Sequence, residues 1–360
     1  GKTAGLTSTD FVRVGEDILD RGDYSGPGGA RMLLRDPRLE IACLEVARGG
    51  ILRRGLPTRR ARVAVVTNVA NDHLGQYGVN TVPELAQAKF AVHRTLAEDG
   101  VLVLNADDDF VVAESRHADA TIWWFSLDPE ATQIAQARAD GVPCAYLKND
   151  MLTFFDGRHE NALINVRNVP ITMGGAARYN VSNALAALCV GQAMKLADED
   201  ICSGLSSFRP DAKDNPGRLN EFSHNGARMF VDFAHNPHSI AAVSEAMSAI
   251  PAKRRFIMLG HAGDRSDEDI RNVTLSALGF NPDVVVAVEM EGYLRGRQLG
   301  EIPELIKQAA TEAGVSPDCV LYAKSPTAAV RTILDLVQPG DLALLLVLSE
   351  RDAVFELLNG

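Results

Sequence analysis

Cysteine is scarce and unpatterned. Cys43, Cys144, Cys189, Cys202 and Cys319 never approach C-x-x-C spacing. That argues against a zinc knuckle, a dithiol redox motif or a disulfide framework, and leaves them as reduced, mostly buried small residues. Basic residues are in deficit: 36 Lys and Arg face 47 Asp and Glu, a net charge of −11. The basic stripes that a phosphate backbone demands are therefore not expected, which argues against nucleic acid as a main partner. An acidic surface does tolerate a cationic substrate such as an arginine derivative. No apolar run reaches the roughly 20 residues of a membrane span, and no secretory leader pattern is seen, so the expectation is a cytoplasmic protein with no membrane partner. Internal repeats and low-complexity tracts are also lacking.

What is present is an alternation of short apolar runs with helical patterns along 360 residues that are 46% hydrophobic. That length suggests two domains. Ile41 to Ala47 and Val63 to Val69 read as buried strands, Val82 to Asp99 as an amphipathic helix, and Gly100 to Asn105 as another strand. From Thr121 to Pro170 short alternating runs suggest an antiparallel sheet laid on the edge of the parallel one. Tyr179 to Leu196 reads as a long Ala-rich helix, and Phe208 to Gly217, with two prolines, as the linker. Strands are predicted next at 228–233, 255–259, 283–289, 320–323 and 341–347, with helices at 238–250, 267–279, 301–314, 326–337 and 350–358. Such strand–helix alternation predicts a second parallel, doubly wound domain, so the boundary is placed between residues 208 and 209.

Several polar clusters fall where apolar runs end, the place where open α/β sheets hold ligands. Glu45 follows IACL and precedes Arg48-Gly49-Gly50, and a carboxylate there suits Mg²⁺ near phosphates. Asn68 to Leu74, NVANDHL, gathers amide, carboxylate and imidazole groups, with His73 a candidate cation ligand. Lys89 shares a helical stripe with Leu85 and Val92, where an ammonium is costly unless paired or modified. Asn105-Ala106-Asp107-Asp108 reads as a turn. Asn180 and Asn183 open a helix as caps, or as amides facing an adenine ring, Asn183 preferred. Gly217-Arg218 lies about a dozen residues before the run Met229 to Phe233, which ends in Asp232-Phe233-Ala234-His235-Asn236-Pro237. These residues suggest a nucleotide phosphate held by Arg218 and His235, with Asp232 on a ribose hydroxyl or a metal. Asp264 and Arg265, in the turn GHAGDR, suit an incoming amino acid or a phosphate, and Ser349 to Asp352 mark one more strand end.

In order, LEVARGGILRRGL, TNVANDHLG, Lys89, LNADDD, GGAARYNVSNALAA, PGRLN, DFAHNPHS and GDRSDEDI resemble the Mur ligase superfamily, and within it the Mur-ligase-like part of the cyanophycin synthetase family. The resemblance covers essentially the whole chain. It implies a central parallel-sheet domain bearing a small antiparallel sheet, followed by a Rossmann-like C-terminal domain. It also implies ATP- and Mg²⁺-dependent amide formation through an acyl phosphate, joining arginine to the side-chain carboxylate of a terminal aspartate in an aspartyl polymer. By the same motifs Glu45 and His73 are metal ligands and Lys89 a carbamylated lysine. Asn183 contacts adenine, Arg218 the γ-phosphate, and Asp232 and His235 the ribose and phosphates. Arg48 and Arg53 face the acceptor's carboxylates.

The chain departs from that pattern in two ways. Gly1-Lys2-Thr3 matches the end of a phosphate loop, G-x-x-x-x-G-K-[ST], yet the β-type run Leu6 to Thr9 follows at once, and the segment reads instead as a strand. The ATP-grasp and N-terminal domains of the family are not expected within these 360 residues. Three readings stay open: a fragment of a larger synthetase, a stand-alone ligase with another amino-acid substrate, and a non-catalytic nucleotide-binding subunit. The oligomeric state, a homo-oligomer included, is open as well.

Overall fold

The structure is a computed structural model describing residues 1–71 and 74–359. It divides into two compact units. The first joins Gly1–Asn168 to Asn180–Ser206, and the second joins Val169–Tyr179 to Ser207–Gly360. The division is not one cut near residue 208, because Met173 and Tyr179 pack against the second unit's core.

The first unit opens with strands β1 (Ala4–Thr7), β2 (Phe11–Val14) and β3 (Asp17–Arg21), then helix α1 (Pro27–Leu33), strand β4 (Ile41–Leu44) and helix α2 (Arg48–Arg54). The sheet order is β3-β2-β1-β4, with β1 and β4 parallel and β1-β2-β3 antiparallel. Val12, Val14 and Leu33 form its small core. Residues 1–3 lead directly into β1, so no helix follows Lys2 as a phosphate loop requires. Strand β4 lies at a sheet edge with Ala42 and Cys43 exposed, and is not the buried strand expected.

A second sheet follows: β5 (Ala61–Val66), α3 (Val82–Phe90), β6 (Leu96–Asn105), α4 (Asp109–Ser115), β7 (Thr121–Ser126), α5 (Thr132–Asp140), β8 (Cys144–Lys148), β9 (Met151–Phe155) and β10 (Glu160–Asn165). Its order is β10-β9-β8-β7-β6-β5, so β5 is also an edge strand. Strands β5 to β8 are parallel, and the antiparallel part is confined to β8-β9-β10. Helix α5 was not anticipated because only Ile134 and Ala137 mark its buried face. Helix α3 starts at a Thr81–Glu84 capping box and stops at Phe90, short of the expected Asp99. His93 Nδ1 lies 2.7 Å from the Phe90 carbonyl, and Thr95 Oγ1 donates to Val92 O at 2.8 Å. These local bonds tighten the chain into a 3₁₀ turn before β6. Helix α6 (Arg178–Ala193) and helix α7 (Asp198–Ser207) follow.

The second unit contains β11 (Asn220–His224), β12 (Ala227–Asp232), α8 (Pro237–Ser248), β13 (Arg255–Gly260), α9 (Asp267–Leu278), β14 (Val284–Val288), α10 (Glu301–Glu312), β15 (Val320–Ala323), α11 (Pro326–Leu336), β16 (Leu342–Leu346) and α12 (Arg351–Asn359). Only the antiparallel β11 escaped the sequence reading, and the other bounds agree within about two residues. The order is β11-β12-β16-β13-β14-β15, parallel from β12 to β15. Period-two alternation builds two cores. Ile257 and Leu259 face α8, α9 and α10 through Ile240, Ile270 and Ile306. Phe256 and Met258 face α11 and α12 through Ile333 and Val354. Strands β12 and β13 are consecutive, yet β16 lies between them, so the connections diverge there and open the crevice where such sheets take ligands.

Candidate functional site

In the first unit, polar groups gather just past β4 and β5. The exposed Glu45 carboxylate accepts from Thr9 N and Thr9 Oγ1, both at 2.8 Å. Thr9 thereby orients it and leaves lone pairs free, since an ionised carboxylate accepts about four bonds. Past β5, half-buried Lys89 on α3 donates from Nζ to the Asn68 carbonyl at 3.0 Å. The apolar stripe thus delivers its ammonium to the mouth of the sheet. Asn105 Nδ2 donates to Thr67 O at 2.9 Å, and Asp108 Oδ2 accepts from Val69 N at 2.7 Å. Asp108 also caps α4 through Phe110 N and Val111 N, both at 3.0 Å. The segment read as a plain turn therefore holds the loop that carries Asn68.

Arg48 and Arg53 both approach the exposed Tyr77 ring, 5.9 and 5.6 Å from its centre. Tyr77 has φ +56° between Gly75 and Gly78 at +80° and +78°, and Arg48 also donates to Gln76 Oε1 at 3.2 Å. His73 lies outside the described residues. Asn180 and Asn183 sit inside α6 and are not its caps, because the helix already begins at Arg178. Asn183 Nδ2 donates to Asn180 Oδ1 at 3.2 Å, and Asn183 is exposed. Among the described residues no group of three or more His, Cys, Asp or Glu is placed to hold a metal. The hard oxygen of Glu45 still suits Mg²⁺, which keeps several waters and takes one or two carboxylates. The expected burial of the cysteines holds for Cys144 and Cys189, while Cys43 is exposed.

In the second unit the turn at Gly217 to Asn220 is built from within. Gly217 and Leu219 have φ of +71° and +51°. The buried Asn220 accepts from Gly217 N at 2.7 Å and donates to Asn215 O at 2.9 Å. Asp232, 5% exposed, takes Leu219 N on one oxygen at 2.9 Å and Ala234 N on the other at 2.8 Å. Burial raises its pKa, while the Arg218 charge and three backbone N–H groups draw it back. This carboxylate fastens the Arg218 turn to the end of β12, a positioning role that the sequence alone did not suggest. Exposed Arg218 lies over Phe233, 5.3 Å from the ring centre. Half-buried His235 packs edge-on against the same ring at 5.3 Å. Asn236 and Ser239 form the capping box that starts α8.

His261, at the end of β13, is 6% exposed, and its Nε2 lies 3.1 Å from the His235 carbonyl. It links the loop after β12 to the loop after β13. Burial lowers its pKa, so the neutral ring with Nε2–H donating fits the geometry. The following turn is held by a segment that the sequence reading passed over. Asp264 pairs with Arg295, so its carboxylate is engaged. Arg297, 15% exposed, donates to Gly263 O at 3.1 Å and Arg265 O at 2.7 Å, and pairs with Asp267 and Glu301. A Cβ on Gly263 would lie 1.9 Å from Leu294 O, so only glycine fits there. At the end of β16, Glu350 accepts from Thr327 N at 3.1 Å.

Comparison with known proteins fits this architecture. Residues 28–191 match the Mur ligase middle domain, and residues 217–346 match the Mur ligase glutamate ligase domain. A cyanophycin synthetase of Nostoc sp. is 36% identical over 347 residues, 96% of this chain and 38% of that protein. One from Crocosphaera subtropica is 38% identical over 307 residues, 85% of this chain and 35% of that protein. The chain therefore spans well under half the length of these curated relatives. Streptococcus gordonii UDP-N-acetylmuramoylalanine–D-glutamate ligase is 28% identical, with 81% of this chain and 55% of that protein covered. Among solved structures, E. coli FolC with DHPP and ADP matches with a TM-score of 0.72 at 18% identity, over 100% of this chain and 82% of that one. MurF from Acinetobacter baumannii matches at 0.67 and 19% identity, over 100% and 71%. Those two likenesses concern the fold.

Proposed function

Since the chain belongs to the Mur ligase family, we propose that it carries out ATP-dependent amide formation between the α-amine of arginine and an aspartate side-chain carboxylate of a peptide polymer. The observation that carries this reading is the pair of groups past two strand ends, Glu45 oriented by Thr9 beyond β4 and Lys89 reaching the Asn68 carbonyl beyond β5. A carboxylate oxygen attacks the γ-phosphorus and ADP leaves, giving an acyl phosphate. The amine then adds to the carbonyl carbon, and the tetrahedral adduct expels phosphate and loses a proton. Such chemistry rests on positioning and charge neutralisation.

Glu45, set by Thr9, and His73 would hold Mg²⁺, which when bound neutralises phosphate charge. Lys89 would join them as a carbamate. Carbamylation replaces a donor by acceptors, so its bond to the Asn68 carbonyl would break. In the second unit Arg218 would meet the γ-phosphate and His235 the phosphates. Asp232 holds the Arg218 turn in register. Asn183, with Asn180, is assigned to adenine, and Arg48 and Arg53 to acceptor carboxylates. Asp264 and Arg265 are assigned to the incoming amino acid, with Arg295 exchanging off Asp264 as it arrives.

The test uses the natural protein that contains this chain. With ATP, Mg²⁺ and an aspartyl acceptor, hydroxylamine should trap an acyl hydroxamate, and arginine should divert that product to amide. ADP release that responds to neither acceptor nor arginine would overturn the reading.

A further inference from the structure

One exposed side chain holds a backbone shape that does not suit it. Tyr77 has φ +56°, between Gly75 at +80° and Gly78 at +78°. Glycine takes the left-handed region freely, whereas a tyrosine there is strained, and such strain tends to be kept where it serves a site. The ring is not needed for packing. Tyr77 is 54% exposed, while Val79, 5% exposed, fastens the turn to the core beneath the second sheet. Gly75 N closes the turn by donating to Val79 O at 2.8 Å.

What the ring meets is charge. Arg48 and Arg53 of α2 lie 5.9 and 5.6 Å from its centre. Two guanidiniums brought to one place repel each other, and the ring face attracts both. Each is fixed at one further point. Arg48 donates to Gln76 Oε1 at 3.2 Å, and Arg53 Nε donates to Gly49 O at 3.0 Å. Among the described residues no carboxylate pairs with Arg53. A guanidinium lying over a ring still offers N–H groups at its edge, in the fork that matches a carboxylate. Helix α2 begins three residues past Glu45 and packs beside α3, which carries Lys89.

We propose that Tyr77 is a positioning residue that holds Arg48 and Arg53 as a two-guanidinium clamp for the α-carboxylate of the acceptor's terminal aspartate. The inference rests on the ligase reading, and goes beyond it by saying which carboxylate is held and which is left to react. A terminal aspartate carries two carboxylates a few bonds apart, and either could attack a phosphorus. Holding the α-carboxylate leaves the side-chain carboxylate as the one that reaches the phosphate. Tyr77 itself touches neither and acts through the two arginines.

The experiment uses the natural protein that contains this chain and two acceptors. Both are aspartyl peptides whose inner side chains carry arginine and whose last aspartate has a free side chain. One ends in a free α-carboxylate, the other in a carboxamide. Amide formation and calorimetric binding are measured for each. The wild type should favour the free acid by about tenfold in KM, with little change in kcat. Tyr77→Asn removes the ring and still accepts the left-handed backbone. It should shrink that preference about fivefold, with the KM for ATP and the thermal unfolding held. Tyr77→Phe keeps the ring and should keep most of the preference. A wild type that treats the two acceptors alike overturns the clamp, as does a Tyr77→Asn variant with the full preference. A Tyr77→Phe variant as impaired as Tyr77→Asn overturns the part played by the ring. Preference in binding without any amide formed would sink the ligase reading and spare the clamp. Amide formed without preference would do the reverse.

Discussion

Several polar side chains at these strand ends shape loops by holding backbone groups. His261 makes the point testable. Its Nε2 holds the His235 carbonyl, and burial depresses its pKa from an ordinary 6.5. The unfolded chain therefore takes up a proton more readily than the folded one. The stability that this neutral ring contributes is present above about pH 6.5 and is lost as pH falls below it. Chemical denaturation of wild type and His261→Gln across pH 7.5 to 5 should show a steeper acid loss in the wild type. Identical slopes would count against it. Gly263→Ala should cost at least about 2 kcal/mol, because Leu294 O must move to admit a methyl. Urea denaturation reads that directly. For the Glu45 carboxylate, Thr9→Val removes the hydroxyl donor and keeps the backbone one, so Mg²⁺ dependence should shift to higher concentration while folding holds. An unmoved Mg²⁺ curve would detach Thr9 from the metal.

At the level of elements, legibility followed the strength of the local signal. Strands of the second unit, LALLL, VVVAV and RFIMLG, are continuous apolar runs flanked by capped helices, and their positions could be read almost to the residue. Strand β3, DILDR, is exposed throughout, and β11, NEFSH, is polar, so neither gave a periodic signal. Lys89, Arg218 and His235 could be picked out because each ends or follows a strong pattern. Arg295, Arg297, Asn220 and His261 gave no sign, since what makes them matter is a backbone group distant in sequence or curled back by a left-handed turn. One such link lies at the amino ends of β13 and β16 in the second unit: Arg254 Nη2 meets Asp341 Oδ2 at 2.6 Å, with Asp341 3% exposed. Replacing Arg254 by Ala would leave that carboxylate buried and should cost about 2 to 4 kcal/mol. Asp341→Ala leaves a more exposed guanidinium that water can serve, so the cost should be smaller. The ranking of the two variants' melting temperatures checks the argument.

On the scale of the whole molecule, two units with separate cores predict departure from two-state unfolding. The calorimetric enthalpy should exceed the van't Hoff value, and ADP–Mg²⁺, whose assigned contacts come from both units, should raise both parts of the transition.

Strands β4 and β5 each close a sheet on a free edge. β5 carries Arg62, a charge that discourages a neighbour from zipping on, whereas Ile41-Ala42-Cys43-Leu44 carries none. Copies of this chain that stick together should therefore do so along β4, through a continuous ladder grown from one molecule to the next. The exposed Cys43 thiol lies on that ladder, so crosslinks formed under mild oxidation would mark where such growth begins.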